Sequence, residues 1–342
     1  MKPDAKIYSI NAGLVLAVFA IIFVLLRVGV LNPFYEHLII LTCINIILAV
    51  SLNLSAGFLG QLVLGHAAFM SVGAYAAAIF TNATNASGTL GLAAALIVGG
   101  LAAAVSGIVI GVPALRLRGD YIAIITLAFV FIVQSLMLNL NNIFETREGE
   151  TGIIQSVARL LDVTGGAQGM TVPRLTSFEL AFFVMVITVA VLICLVRSRH
   201  GRAMIAIRED EIAAEAAGIS TVYYKILGFT ISAFFAGVAG GLFAHQVFFI
   251  EPLDFDFVFS IELLVIVVLG GMGSFTGAIV AAIVLTLLPE MLREFQLWRM
   301  LVYAVLLIAM MIFRPKGLMG TYEFSVENIL AKIRGRRSKR EK

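Results

Sequence analysis

Six polar side chains interrupt stretches of this chain that are otherwise apolar: Asn45, Asn53, Gln61, His66, Gln134 and Glu262. Amides, an imidazole and a carboxyl in such settings can hydrogen-bond to neighbouring segments or line a wet path, and both readings expect them to face the interior of the fold. A central acid costs roughly 2.5 to 3.5 kcal/mol on membrane-insertion scales, so Glu262 carries the strongest expectation. Hydrogen bonding between segments is the favoured reading for Asn45, Asn53 and Gln134. Asn53, Gln61, His66 and Glu262, with the glycines Gly270, Gly271 and Gly273, form the candidate path set. Catalytic constellations are absent from the sequence. It has no Gly-x-x-x-x-Gly-Lys-Ser/Thr loop for nucleotide phosphates, and no serine or cysteine in a nucleophile-elbow context. The four histidines, His37, His66, His200 and His245, and the two cysteines, Cys43 and Cys194, lack metal-ligand spacing, so no metal and no cofactor is expected.

The elements that must position these residues follow from composition. With 61% hydrophobic and 13% charged residues among 342, the chain reads as an all-α, polytopic transmembrane bundle. About 20 residues per crossing allow about nine or ten helices. The apolar spans are Ile10 to Leu26, Leu38 to Leu54, Leu62 to Phe80, Leu92 to Val112, Tyr121 to Leu140, Phe178 to Val196, Ile226 to Val247 and Met300 to Phe313, with a longer run from Val258 to Leu288. The first is read as a retained span, since no small-residue cleavage site follows it. A break is expected at Ser55 to Gly60, between the second and third spans. The long run must also break, at Gly270 to Ser274, into a late pair of short legs, because a single crossing would separate the basic tail, 314–342, from the other basic loops. Unwound backbone at membrane depth survives only against protein or a wet cavity, which places this break near a path. Under that topology 18 of the 24 Lys and Arg residues lie on one side, which predicts a cytoplasmic N-terminus, a cytoplasmic tail and an external loop over 141–177. One transmembrane domain, 1–342, accounts for the chain, and its basic residues follow membrane topology instead of signalling nucleic acid. Glycines four apart, at Gly107 and Gly111, Gly237 and Gly241, and Gly273 and Gly277, predict close helix packing.

One interval between spans is strongly charged: 197–225, RSRHGRAMIAIREDEIAAEAAGISTVYYK. Ile205, Ile212 and Ile219 recur at sevens with Ala216 beside them, while Arg208, Glu211 and Glu215 take the other face, which predicts one helix from Met204 to Ala217. Gly218 should end it in a left-handed cap, and Ser220 or Thr221 should start the next. A short amphipathic helix displayed beside a membrane is a docking surface for a soluble partner.

Four stretches carry a resemblance. The run from Arg208 to Gly218, with Lys225 and Phe229-Thr-Ile-Ser-Ala-Phe-Phe-Ala-Gly237 after it, resembles the coupling segment of the branched-chain amino acid permeases of ATP-binding-cassette importers, of the LivM type. Thr164-Gly-Gly-Ala-Gln-Gly-Met170, Val268 to Gly277, and Leu52 to Gln61 followed by Gly65-His-Ala-Ala-Phe69 are similar to further motifs of that family, so the likeness runs in order from about Ile40 to Gly317. It departs from the general importer pattern of Glu-Ala-Ala, three residues, then Gly, because the position six before Gly218 is Ile212. The resemblance implies an inner-membrane permease subunit that is not itself an enzyme. Its partners would be two ATP-binding subunits, a second homologous permease, an external solute-binding protein and membrane lipid. It assigns ATPase coupling to Arg208, Glu211, Ala213, Ala214, Glu215, Ala217 and Gly218. Urea or short amides are alternative solutes within the same class, and an ion-coupled secondary transporter is the alternative outside it.

Overall fold

Hydrocarbon offers the backbone no hydrogen-bond partner, so a chain of this composition must satisfy its peptide groups within helices. The computed structural model describes residues 5–28, 32–85, 88–114, 121–145, 169–293 and 298–313, with Gly317, Leu318 and Gly320. Twelve α-helices are present among them: α1 (Ala5–Arg27), α2 (Pro33–Asn53), α3 (His66–Thr84), α4 (Gly88–Ala114), α5 (Tyr121–Glu145), α6 (Phe178–Arg197), α7 (Arg199–Glu209), α8 (Glu211–Ala216), α9 (Thr221–Val247), α10 (Phe257–Gly270), α11 (Phe275–Met291) and α12 (Arg299–Phe313). The all-α membrane bundle is borne out. Among the described residues, five stretches are long and apolar enough to cross a membrane: Pro33–Phe58, Gly88–Ala114, Tyr121–Asn139, Phe178–Arg197 and Thr221–Val247. Helices α10 and α11 have 14 and 17 residues, about 21 and 25 Å at the α-helical rise, which is less than a full hydrocarbon thickness.

The core is the packing of α9 on α3 and α4, with α2, α10 and α11 on its flank. Glycines make it close. A β-carbon on Gly99 of α4 would stand 2.6 Å from the Gly73 carbonyl oxygen of α3, and one on Gly237 of α9 would stand 2.7 Å from the Gly99 carbonyl oxygen. Gly107 meets Ala233 in the same seam, so Gly107 and Gly237 from the four-residue pattern do pack helices against one another within the subunit. With lipid as apolar as the side chains themselves, this van der Waals closeness drives association in place of a hydrophobic gain. The outward faces are apolar: Ile97, Leu101, Val105 and Ile108 on α4 and Phe183, Ile187 and Val191 on α6 are all exposed at helical spacing. Some polar residues join helices. The Asn45 amide donates to Thr286 Oγ1 at 2.9 Å, tying α2 to α11.

The two ends of the bundle differ. At one, β1 (Met170–Thr171) pairs antiparallel with β2 (Phe249–Ile250), the latter just after α9, and Asn82 at the end of α3 donates to the Thr171 carbonyl. At the other lie α7, α8, the first turn of α9 and two breaks in the helices. Helix α2 continues through a π-helical turn, Leu54–Phe58, into an extended strip that ends at Gly65. The break therefore runs past Gly60, and α3 begins at His66 instead of Leu62. The strip persists because Thr126 of α5 grips it: Leu64 N donates to Thr126 Oγ1 at 3.0 Å, and Gly65 lies against the Thr126 carbonyl. The second break separates α10 from α11 at residues 271–274, where the glycines predicted it. Beyond α12 the chain returns there, with Leu318 N donating to the Leu269 carbonyl at 2.6 Å. Most of the expected external loop, including Thr164 to Gln168, and nearly all of the basic tail lie outside the described residues.

Candidate functional site

Ser198 begins the displayed element. Its hydroxyl accepts from the backbone of His200 and Gly201 at 3.2 and 3.4 Å, starting α7 where α6 has just ended. Met204 and Ile207 anchor α7 by burial, the former against Gly228 of α9. The single helix expected from Met204 to Ala217 is two. Asp210 stands extended between them, and its Oδ1 accepts from Ile212 N at 2.9 Å and Ala213 N at 3.0 Å. A short acceptor side chain that satisfies the free N–H groups of a new helix start competes with continuation of the old one. The heptad of isoleucines is accordingly not one face, and Ile212 is 77% exposed.

Helix α8 ends as the sequence requires. Gly218 takes φ +83, its N–H donates to Glu215 O at 2.9 Å, and Ile219 N–H donates to Ala214 O at 3.0 Å, a paired closure of the last turn that needs a left-handed residue. Lys225 then fixes the element to α9. Its ammonium lies 2.6 Å from Glu211 Oε1, with the lysine side chain only 8% exposed.

This geometry divides the seven expected coupling residues. Ala213, Glu215, Ala217 and Gly218 are exposed, and with Ala216 and Ile212 they form a continuous surface in which three alanines and a glycine lie beside one isoleucine and one glutamate. Ala214 is buried under them, and Glu211 is engaged by Lys225. Arg208 is itself exposed, with its side chain 31% accessible, yet its Nη1 donates to the Gly57 carbonyl of the π-helical turn at 2.7 Å while Nη2 pairs with Glu209 at 2.8 Å.

The path candidates also separate. Asn53 is committed to the second break: its amide nitrogen donates to Ser274 O at 2.8 Å, and its Oδ1 accepts from Gly273 N at 2.9 Å. Gly271 and Gly273 both take positive φ in that turn, and Gly270 abuts Gly277. His66 is buried, its Nε2 3.0 Å from Ser51 Oγ, in a polar cluster where Ser232 of α9 donates to the Ser51 carbonyl at 2.6 Å. Gln61 is 5% exposed, and neither atom of its amide has a hydrogen-bond partner. Glu262 corrects the expectation of an interior site. It is exposed beside Val258 on the outer face of α10, because Ser260, Leu263, Ile266 and Val267 take the inner one. A helix apolar on every other position gives no sequence signal of which face is outward. Gly57 and Gly60, which receive Arg208, and Asp210, which splits the element, were not singled out from the sequence. An aspartate three residues before an alanine run was a readable helix start.

Comparison with known proteins agrees with this architecture. The family model for the permease component of branched-chain amino acid transport systems matches residues 34–313. The chain is 40% identical over 294 residues to the high-affinity branched-chain amino acid transport system permease protein LivM of Escherichia coli, covering 82% of this chain and 68% of that protein. Identity to the LivM protein of Salmonella typhimurium is 38% over the same lengths. A permease of the autoinducer 2 import system of Yersinia enterocolitica is 27% identical over 183 residues, about half of each chain. No solved structure matches. A bundle with a displayed, capped pair of short helices and a match across the whole core place this chain in the branched-chain amino acid transport system permease family.

Proposed function

We propose that the chain is the membrane-spanning subunit of an ATP-driven importer for branched-chain or related hydrophobic amino acids, working with two ATP-binding subunits, a second homologous permease and an external binding protein. The observation that carries this is the exposed surface of α8. A transport bundle with no nucleotide loop of its own displays a short helix that exposes Ala213 and Ala216 beside Ile212 and Glu215, whose start is capped by Asp210 and whose exit angle is set by Gly218. A shallow groove on an ATPase accepts alanines where larger side chains would not enter. The end bearing α7, α8 and the start of the tail is then cytoplasmic, and the end bearing β1 and β2 is external. Helices α10 and α11 form the late pair within a bundle of about nine or ten membrane helices. The amino acid itself follows from the LivM relatives, which are permeases of high-affinity branched-chain amino acid transport systems.

Reconstitution with the ATPase, second permease and binding protein tests this. Ala217→Arg and Gly218→Val should each leave an inserted, folded subunit whose complex has lost substrate-stimulated ATP hydrolysis. The β-branched residue forced into the left-handed region adds on the order of 1 to 2 kcal/mol of local strain. Full coupling in both variants would remove α8 from the ATPase interface.

A further inference from the structure

We propose that Arg208 is a positioning residue that links the ATPase-facing helices to both helix breaks, instead of a residue that docks the ATPase. This rests on the importer reading above. Three elements distant in sequence meet at its guanidinium. Helix α7 supplies Arg208, the π-helical turn of α2 supplies the Gly57 carbonyl that accepts from Nη1 at 2.7 Å, and the turn between α10 and α11 supplies Gly273, where a β-carbon would stand 2.8 Å from the same nitrogen. A β-carbon on Gly60 would stand 2.6 Å from Arg208 Cγ, so the arginine stem lies across the strip leading to α3 as well. Asn53 closes the triangle, holding Gly273 N–H and the Ser274 carbonyl with one amide.

The two breaks are thus one mechanical unit, and Arg208 is its tie to α7. Backbone that leaves the helix inside a membrane must have its polar groups satisfied by protein, so a side chain that supplies such a bond also sets where that backbone sits. A cleft of about 460 Å³, lined by Ala56, Gly57, Gly60, Leu62, Arg208 and Met272, opens beside the guanidinium and gives it room to move without repacking the core. A displacement of α7 by the ATPase would therefore reach the Gly57 carbonyl directly through Arg208, as well as through the packing of Met204 on α9. Glycine at 57, 60 and 273 suits this use, since each lies where a side chain would occupy the place of the arginine or of Asn53.

The test is the reconstituted complex of the full chain, comparing Arg208→Gln and Arg208→Lys with wild type. Three readouts are taken: ATPase subunits retained on purification, basal ATP hydrolysis, and hydrolysis stimulated by loaded binding protein. Arg208→Gln should retain the ATPase and its basal rate yet lose roughly tenfold or more in stimulated hydrolysis and uptake, the weight of one charge-assisted hydrogen bond. Arg208→Lys keeps the charge but not the fork that serves Gly57 and Glu209 together, and should fall between the two. If Arg208→Gln fails to fold, the lysine variant decides alone. Loss of the ATPase subunits would make Arg208 a docking residue, and unchanged stimulation in both variants would leave it without a role; either result overturns the proposal. Failure of wild type to couple uptake to ATP would sink the importer reading itself, which separates the two.

Discussion

Asn53 hydrogen-bonds between segments, which is the reading the sequence favours for it over lining a path. Its amide satisfies both a donor and an acceptor of the turn between α10 and α11, at 2.9 and 2.8 Å. Asn53→Ala should lower the thermal midpoint of the purified subunit, with about 1 kcal/mol or more expected for the loss of two hydrogen bonds to the part-buried turn. Asn53→Asp keeps the acceptor for Gly273 N–H but sets an oxygen against the Ser274 carbonyl, and its midpoint should fall at least as far. Equal midpoints for wild type and Asn53→Asp in the same detergent would show that the bond to Ser274 adds nothing. Polarity in an apolar run announced Asn53, His66 and Gln61 from the sequence alone. What it could not announce was the partner, because the bonded groups at 273 and 274 lie some 220 positions away and are backbone, which every residue carries.

At the scale of elements, most helices were legible because a long apolar run in a membrane protein has only one way to satisfy its backbone. Their ends were less so. Helix α3 starts four residues late because of Thr126 on α5, a tertiary contact with no local signature. The isoleucine periodicity predicts one helix across α7 and α8, and the cap at Asp210, which carries the local information, divides it. Pairing of α8 to α9 makes a further case. Lys225 is 6% exposed overall, and Glu211 is its neutralising neighbour. Removing the acid strands a buried cation, whereas removing the cation leaves a half-exposed acid that water can serve. Glu211→Gln should therefore destabilise the subunit more than Lys225→Met, and the double variant should match Lys225→Met alone. Limited proteolysis of the 197–225 segment, followed as cleavage rate, reads that order directly. Equal rates in the two single variants would mean that the pair is a surface contact of little weight.

The whole molecule raises the question of what surrounds it. Its exposed faces on α4 and α6 are apolar and suit lipid, with Val105 and Ile187 each about 60% exposed. The outer face of α10 does not, because Glu262 stands there beside Val258, and Asp256, Asp254 and Glu251 precede it along the chain. Nor does this segment sit at the rim. Phe257 packs on Phe131, near the middle of α5, and Phe255 on Tyr75, near the middle of α3. An exposed carboxyl at that depth is costly against hydrocarbon and tolerable against protein or a wet cavity. On the importer reading proposed above, this is the face a second permease is expected to cover. A photo-cross-linking residue in place of Val258 should capture a polypeptide of permease size in native membranes, while the same residue in place of Ile187 should yield lipid adducts. Glu262→Gln should preserve that capture, since neutralising the acid does not remove the surface, and Glu262→Leu should lower uptake if the carboxyl faces water between the subunits. Lipid adducts from Val258 as from Ile187 would place α10 at the edge of the assembly, and the carboxyl would then need a different partner.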